Sequence, residues 1–381
     1  MGSRQPTTIA LNLLYIESGY LTGPGYYAVQ IMEHLAELLP ATGQRCLCAY
    51  VRRSARHHFS DRVQSYLRDV PLKGGRIKRV LTEQIILPFI AKKDNISLLF
   101  SPTFVSPLWG AKHLVVTIVD MYYRVTPDFL DSFQRRYWAI MIPLSARACD
   151  AIITISDSVA DDVKTYLPWA YFKTTAIPLA SRFRPTFQPD DLVKENFQEE
   201  DHGDFLLMVA NVTRNKNPEV VIRAISHLRS KGRKVRLVHV GKDHLGLLAT
   251  SVDVHDARDM TASFGKVSDE RLIELYRSCL AAVVPSFYEG FGMPAVEAQS
   301  QGAPLLSSNR GSLPEVGGDA ALYFDPDDYQ ALAEHIELLL DHPDFRKDLI
   351  KKGYLSASRF SWSMTAERTL KLFDSIMAPM K

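Results

Sequence analysis

This sequence has few cysteines, no long apolar run and no strong excess of one charge. Its four cysteines are scattered, with no Cys-x-x-Cys pair and no His cluster at zinc spacing. This argues against a disulfide framework and is typical of reduced, mostly buried thiols in a cytosolic protein. The longest apolar runs, such as residues 114–119, fall far short of the roughly 18 residues that a membrane-spanning helix needs. The amino terminus lacks a basic region followed by an apolar one, so we expect no signal peptide.

What remains is an ordinary globular composition. Hydrophobic residues make up 46% and charged residues 23% of the 381 residues, as in water-soluble domains. A chain of this length suits two domains better than a single core. The formal net charge is only +2, so the chain as a whole is not a general polyanion binder.

The charge is nevertheless segregated along the chain. Residues 45–93 hold 12 Lys and Arg against three acids, which gives 12 − 3 = +9, and the rest of the chain therefore sums to 2 − 9 = −7. Most charge runs are simply solvated faces, and no nucleic-acid motif accompanies this one. We expect it to make peripheral contact with an anionic membrane, where each basic residue near the surface contributes about 1 kcal/mol. We expect no nucleic-acid partner.

Strand and helix patterns alternate twice along the chain. Buried strands are predicted at 8–16, 45–51, 98–101, 114–119 and 151–156, the last ending in a helix N-cap signature. A polar, proline-dotted stretch at 179–203 is typical of a linker. The alternation then restarts, with strands predicted at 205–210, 235–241, 281–285 and 303–307 and helices at 218–230, 268–279, 294–301 and 328–340. This pattern predicts an α/β protein with two facing, doubly wound (Rossmann-like) domains.

The most informative stretch is VVPSFYEGFGMPAVE at residues 283–297. An apolar run gives way to a glycine-bearing loop, and Pro294 then opens a helical segment, with Glu297 expected in its first turn. Such a loop presents backbone N–H groups to an anion, here between two carboxylates, Glu289 and Glu297. This suggests a nucleotide-sugar site. A solvated loop carboxylate with a helix-start glutamate, or the acid/base pair of a glycoside hydrolase, would fit the same pattern.

Two further patterns carry candidate ligand contacts. Arg214, Lys216 and Asn217 follow the strand at 205–210, either as an ordinary basic turn or as cations placed for a diphosphate at the carboxyl end of that strand. The segment 23–28 formally matches GxGxxA, the dinucleotide fingerprint. A nicotinamide site is disfavoured because Gly23 lies well beyond the predicted end of the first strand and because Arg52-Arg53, not an acid, follows the second. We interpret the segment as a flexible, ligand-facing turn.

The pair Asp325-x-Asp327 resembles a metal-binding motif. It lies where a predicted strand gives way to a proline-containing turn, and turn chemistry accounts for both acids. We therefore expect no metal at this pair and no cofactor for the protein.

The run from Phe264 to Asp328, FGKVSDERLIELYRSCLAAVVPSFYEGFGMPAVEAQSQGAPLLSSNRGSLPEVGGDAALYFDPDD, resembles a family 4 retaining glycosyltransferase of the GT-B fold. It carries that family's E-x7-E motif as Glu289 and Glu297. The likeness extends through FSWSMTAERTL near the end and, more weakly, through VVTIVDMYY and ITISDS in the first half. It covers most of the chain from about residue 98 to 373, and its late motifs look most like the mannosyltransferase branch of bacterial polysaccharide assembly.

The resemblance implies a role for each matching position. Glu289 would contact the donor sugar and face the reacting carbon, Glu297 would hold the ribose, and Lys216 would bind the diphosphate. Asn211 stands where the family has an arginine, and Arg214 is a candidate, not an established substitute, for that arginine's role. The remaining donor contacts would be the base-side residues Val267 and Ser268 and the loop residues Gly290, Phe291, Gly292 and Met293.

On the acceptor side the resemblance implies roles for Gly23, Gly25 and Tyr26. Asp120 would lie at the reaction centre, although the family commonly has His-Asp where this chain has Val119-Asp120. The resemblance also implies an acceptor-binding domain at 1–180, a donor-binding domain at 181–360 and a final helix, 361–381, that packs back on the first domain.

The sequence therefore predicts a metal-independent, retaining glycosyltransferase at the cytoplasmic inner face of a membrane. It would move a hexose, with mannose from GDP-mannose as the first choice, to a growing glycan or lipid-linked acceptor. The alternatives are a UDP-sugar donor, a non-catalytic member that binds nucleotide-sugar or acts as a scaffold, and a nicotinamide oxidoreductase.

Overall fold

The chain forms two compact units in a computed structural model. Unit 1 comprises residues 1–179 together with 361–381, and unit 2 comprises residues 180–360. The structure describes residues 7–19, 21–39, 45–72, 74–184, 204–243, 246 and 260–378. Most of the linker predicted at 179–203 lies outside the described residues.

Unit 1 is built on a seven-stranded sheet in which all paired strands are parallel. The strand order is β3-β2-β1-β4-β5-β6-β7, so the direction of winding reverses between β1 and β4. Apolar side chains fill both faces of the central strands, as a sheet covered on both sides requires. The strands are β1 (Thr7–Asn12), β2 (Arg45–Val51), β3 (Leu67–Asp69), β4 (Leu98–Ser101), β5 (His113–Ile118), β6 (Ala151–Thr154) and β7 (Thr174–Ala176).

Two of the labelled helices of unit 1 begin at side-chain caps, and two others are joined end to end. The side chain of Ser156 accepts the N–H of Val159 at the start of α6, as the sequence predicts, and Asp131 caps α5 in the same way. A π-helical segment, Thr82–Ile86, joins α2 to α3 in one continuous helix. The helices are α1 (Gly23–Leu38), α2 (Arg76–Leu81), α3 (Leu87–Lys93), α4 (Tyr122–Val125), α5 (Ser132–Ala148) and α6 (Asp157–Tyr166).

The last helix of the chain, Trp362–Met377, belongs to unit 1. Phe373 is fully buried and meets Phe100 of β4 edge to face, with ring centroids 5.2 Å apart. Trp362 lies against Tyr27 of α1, with centroids 6.3 Å apart. Aromatic pairs of this kind add to the free energy of burial, so the final helix is part of the core of unit 1.

Unit 2 repeats the doubly wound pattern with six parallel strands in the order β10-β9-β8-β11-β12-β13. Its winding reverses between β8 and β11. Its strands are β8 (Phe205–Val209), β9 (Arg236–Val240), β10 (Thr261–Ser263), β11 (Ala281–Val284), β12 (Leu305–Ser308) and β13 (Leu322–Phe324); its helices are α7 (Pro218–Ser230), α8 (Asp269–Ser278), α9 (Met293–Ser300), α10 (Leu313–Gly317), α11 (Tyr329–Asp341) and α12 (Pro343–Ala357). None of the helices in the described part of the chain is long and apolar enough to cross a bilayer.

The predicted α/β class with two doubly wound sheets is confirmed, but local details differ. The first strand ends at Asn12 rather than Ile16, because the Asn12 side chain accepts the N–H of Leu14 and starts a turn. The segment at Gly23 and Gly25 is not a flexible turn: both residues lie in the first turn of α1, and Gly25 is buried. Glu297 lies beyond the first turn of its helix.

Candidate functional site

The ends of β8 and β11 mark the point where the winding of the second sheet reverses. Loops leaving neighbouring strands in opposite directions open a crevice there, which is where open α/β sheets bind ligands. The loop after β8 carries Lys216, and the loop after β11 carries Glu289. The register pairs Ala281 with Leu206 and Ala282 with Leu207, which sets the two strands side by side.

The structure brings Lys216 and Glu289 together. The Lys216 ammonium lies 2.5 Å from Oε1 of Glu289, and the Ser286 hydroxyl donates to the same oxygen at 2.8 Å. Both charged side chains keep some exposure, 25% for Lys216 and 14% for Glu289. The site therefore presents an ammonium cation and a carboxylate that accepts hydrogen bonds at one crevice.

Two buried asparagines hold these loops together. The Asn215 side chain donates to the carbonyl of Tyr288 at 2.9 Å, and the Phe287 N–H donates back to the carbonyl of Asn215 at 2.9 Å. Asn217 donates to the carbonyls of Pro285 and Pro326 at 3.3 and 2.7 Å. Asn217 has a φ of +47°, a left-handed conformation that asparagine tolerates better than most residues.

Glycine is required on the opposite side of Glu289. Gly311 has a φ of +56°, and a Cβ there would lie 2.7 Å from the carbonyl oxygen of Glu289 and 3.0 Å from its nitrogen. The next residue, Ser312, donates its hydroxyl to the same carbonyl at 3.0 Å. The backbone of Glu289 is therefore confined by the chain on both sides.

The helix at Met293–Ser300 starts from a residue that only glycine suits. Gly292 precedes the helix with a φ of +83°, and a Cβ there would lie 2.6 Å from the side chain of Leu313. Phe291 is buried and packs edge to face on Phe360, with centroids 5.5 Å apart. Gly290 and Met293 are partly exposed. A helix start of this kind offers backbone N–H groups to an anion.

Glu297 lies in a different environment from Glu289. Its side chain is buried, accepts the Tyr276 hydroxyl at 3.1 Å and faces the Arg182 guanidinium at 3.5 Å. Burial raises the pKa of Glu297, and Arg182 opposes that shift. The predicted ribose contact of Glu297 stays a prediction.

Two of the other residues predicted to contact the sugar donor form hydrogen bonds within unit 2. Asn211 accepts the N–H of Lys242 at 3.1 Å, and Ser268 caps α8 by accepting the N–H of Arg271 at 3.2 Å. Val267 is half-buried and Arg214 is exposed. Their predicted donor contacts remain predictions.

In unit 1 the predicted residues occupy three different settings. Asp120 accepts the N–H of Tyr122 at 3.0 Å at the start of α4, and Val119 beside it is buried. Gly25 lines a cavity of about 400 Å³. Tyr26 packs against Trp362, with centroids 6.0 Å apart, and Gly23 is exposed.

A turn forms at Asp325, where the sequence resembles a metal-binding pair. Its carboxylate accepts the N–H of Asp327 at 3.1 Å and pairs with Arg310 at 2.8 Å. Within the described ranges, the structure holds no group of three or more His, Cys, Asp or Glu side chains suited to a metal ion.

Sequence reasoning missed several residues that shape this site, namely Ser286, Asn215, Tyr276, Arg182 and Gly311. A signal was available for Ser286, a polar residue two positions after the end of β11, and for Asn215, which lies between the predicted residues Arg214 and Lys216. The partnership of Arg182 with Glu297 spans more than 100 positions of sequence and leaves no local pattern.

The comparisons with known proteins agree on one family. Residues 190–356 match the family model described as Glycosyl transferases group 1. O-antigen chain mannosyltransferase B of Escherichia coli is 29% identical over 266 residues, which cover 68% of this chain and 69% of that protein. Serotype-specific mannosyltransferase WbdA of Escherichia coli is 30% identical over 238 residues, which cover 60% of this chain and 29% of WbdA.

A solved structure supports the fold. WaaG, a glycosyltransferase involved in lipopolysaccharide biosynthesis, matches with a TM-score of 0.73 at 15% identity over 97% of this chain and 100% of WaaG. At that identity the likeness concerns the fold alone. Together with the two parallel sheets, it confirms the predicted GT-B class.

The confinement of Glu289 gives a stability prediction. Gly311→Ala and Gly232→Ala both place a side chain at positive φ, but Gly232 has open space around its Cβ position, whereas Gly311 faces the Glu289 backbone. We expect Gly232→Ala to lower the free energy of unfolding by about 1–2 kcal/mol. Gly311→Ala should cost a further ~1–3 kcal/mol because the Glu289 backbone must move. Urea unfolding of both variants measures the difference, and equal losses would contradict the confinement.

Proposed function

We propose that this chain is a glycosyltransferase that transfers a hexose from a nucleotide diphosphate sugar to a growing glycan or lipid-linked acceptor, with retention of configuration. The match of residues 190–356 to the group 1 glycosyltransferase model and the likeness to a mannosyltransferase support this proposal. The first choice of donor is GDP-mannose. The observation that carries the proposal is the Lys216–Glu289 pair at the reversal point of the second sheet. Both residues lie inside the segment matched by the family.

The chemistry of the pair suits such a donor. A lysine ammonium has three donors, so Lys216 can keep its bond to Glu289 and also bind a diphosphate oxygen. Its charge then stabilises the leaving diphosphate as negative charge develops there. Glu289 accepts hydrogen bonds from the sugar hydroxyl groups beside the bond that breaks. The helix start after Gly292 supplies further donors to the phosphates, so the proposal needs no metal and no cofactor.

The choice of mannose rests on the relatives. The two Escherichia coli relatives described above are named as mannosyltransferases, and one is named for the O-antigen chain. The identities of 29% and 30% support a related reaction, and the donor base and the acceptor are part of the proposal. A UDP-sugar donor is the alternative.

We further propose that unit 1 docks on the inner face of an anionic membrane. Only some of the positive charge of residues 45–93 is free to attract an anionic membrane. Of the ten basic side chains in this segment that the structure describes, six form ion pairs with carboxylates: Arg45, Arg52, Arg56, Arg62, Arg68 and Arg79.

An apolar stripe on the helix running from Arg76 to Lys93 supplies a better surface. It consists of Ile77, Leu81, Ile85 and Phe89, which are between 51% and 67% exposed. Phe89 meets the exposed Trp109 edge to face, with centroids 4.9 Å apart. The same helix carries exposed lysines at positions 78, 92 and 93. Apolar side chains with flanking lysines are typical of helices that lie in the membrane interface.

The donor is tested by a thermal-shift panel of GDP-mannose, UDP-glucose and NADH. A ligand at 100 times its Kd stabilises the folded protein by about 2.7 kcal/mol, so GDP-mannose should give the largest rise in Tm. A larger rise with UDP-glucose would move the proposal to a UDP-sugar donor. A rise with NADH would favour an oxidoreductase.

Catalysis is tested by Glu289→Ala, assayed for sugar transfer from the donor that the panel selects. Removing a preorganised polar group at a reaction centre costs about 10²–10³ in rate, and we expect a loss of that size. The control is Glu274→Gln, which alters an exposed carboxylate of the same unit paired with Arg271 and should transfer sugar at the wild-type rate. A wild-type protein that binds the donor but transfers sugar to no acceptor would be a non-catalytic member of the family.

Membrane docking is tested by co-sedimentation with vesicles containing phosphatidylglycerol. The double variant Ile85→Ser/Phe89→Ser should lose most binding because it removes the centre of the apolar stripe. Lys92→Glu/Lys93→Glu should weaken binding and reduce its dependence on salt. Leu355→Ser, which alters a residue of unit 2 that is 69% exposed, is the matched control. Equal binding by Leu355→Ser and the stripe variant would rule the surface out.

A further inference from the structure

Both hydrogen bonds to the Glu289 side chain converge on one of its two carboxylate oxygens. The Lys216 ammonium lies 2.5 Å from Oε1, and the Ser286 hydroxyl donates to the same atom at 2.8 Å. Within the ranges that the structure describes, no protein group donates to Oε2. Because the Glu289 side chain keeps 14% exposure, Oε2 is the oxygen left for a ligand.

The two donors differ in how firmly they can hold Oε1. Lys216 is 25% exposed, and its ammonium lies at the end of a flexible four-carbon stem that loses rotamer freedom when it is held in one place. Ser286 is 1% exposed, and a single side-chain torsion joins its hydroxyl oxygen to the backbone. The serine is therefore the more rigid of the two contacts.

The backbone of Ser286 is itself anchored. Its carbonyl accepts the hydroxyl of Ser308, the fully buried last residue of β12, at 2.6 Å. Asn215 exchanges two hydrogen bonds, both of 2.9 Å, with the two residues that separate Ser286 from Glu289. The distance between the Ser286 and Glu289 backbones is thus fixed by bonds to two other loops, and only the side chain of Glu289 needs a further constraint.

A bound diphosphate changes the balance at Oε1. Its oxygens carry more negative charge than a carboxylate, so they compete with Glu289 for the Lys216 ammonium. The Ser286 hydroxyl does not follow the ligand, because its side chain is short, buried and anchored through the backbone. Oε1 therefore keeps one donor when Lys216 turns toward the diphosphate, and Glu289 keeps its orientation.

We propose that Ser286 is a positioning residue for the transfer reaction. Its hydroxyl holds Oε1 of Glu289, so that Oε2 faces the sugar of the donor, and it frees Lys216 to act on the diphosphate. This inference rests on the proposed function, because it takes Glu289 as the residue that contacts the sugar. Ser286 acts only through Glu289.

The binding test compares the affinities for GDP-mannose and for GDP, measured by titration calorimetry on the full chain. In Ser286→Ala the affinity for GDP-mannose should fall about tenfold and that for GDP should change less than about twofold, because only GDP-mannose carries the sugar that Oε2 meets. If the Tm panel selects UDP-glucose, the pair becomes UDP-glucose and UDP.

Two further variants separate the hydrogen bond from packing. Ser286→Cys fills nearly the same space but offers only a weak S–H donor, so it should show the same sugar-specific loss. It also carries the comparison if Ser286→Ala lowers Tm. The control is Ser278→Ala, which alters an exposed serine of the same unit whose hydroxyl donates to the carbonyl of Glu274 and should bind both ligands as wild type.

The kinetic test is a double-variant cycle in the transfer assay. Ser286→Ala should lower kcat about tenfold, and Glu289→Ala should lower it by the larger factor expected above. The double variant should be no slower than Glu289→Ala alone, because residues that act as a unit have non-additive effects. A serine with a purely structural role would instead multiply the two losses.

Three outcomes would overturn the inference: an equal loss of affinity for GDP and GDP-mannose, wild-type behaviour of both Ser286 variants, or multiplied losses in the cycle. A protein that shows the sugar-specific loss of affinity but transfers sugar to no acceptor would overturn the proposed function and leave the positioning role of Ser286 standing. A wild type that binds neither member of the ligand pair would overturn both.

Discussion

The candidate site in unit 2 depends on hydrogen bonds that buried asparagine side chains donate from the loop after β8 to the loop after β11. The Lys216–Glu289 ion pair could not hold these loops alone, because partly exposed pairs contribute only about 0–1 kcal/mol. The side chains of Asn215 and Asn217 reach the carbonyls of Tyr288, Pro285 and Pro326, and each would leave a buried carbonyl without a partner if it were absent. Since an unsatisfied buried group costs about 1–3 kcal/mol, the amides fix the loops, and the ion pair is placed as a consequence.

Both sheets reverse their winding once, and the loops at the two reversal points differ in how closely they pack. In unit 2 the diverging loops are joined by hydrogen bonds, and glycines at 292 and 311 let the chain approach closely. In unit 1 the corresponding loops border a cavity that Glu83 and Arg79 help to line. Among the described residues of its wall, Arg79 Nε and the Tyr137 hydroxyl are buried without a hydrogen-bond partner.

Sequence patterns predicted the elements well where local signals exist. The apolar runs of β2 and β4 and the Pro-to-Ser span of α7 have the predicted bounds. Local patterns placed the start of α1 too late, because glycines that suggested a loop lie in its first turn. They did not reveal the helix at Ser132–Ala148, where Pro143 and exposed apolar residues obscure the pattern. The candidate residues Lys216 and Glu289 were identified, but their contact spans 73 positions. Which loops meet is decided by strand order, which no residue spacing reveals.

The net charge summed along a segment is likewise a poor guide to the charge of the folded surface. The count over residues 45–93 gives +9, yet Arg52, Arg62 and Arg68 form ion pairs with carboxylates from outside that segment. The local charge of a folded surface depends on which side chains meet across it, not on the sum along a segment. Within this segment, the helix running from Arg76 to Lys93 exposes an apolar stripe with flanking lysines. Interfacial binding draws on buried apolar area as well as on charge, so the fold shifts the basis of the membrane proposal from electrostatic attraction alone to shallow insertion of one helix.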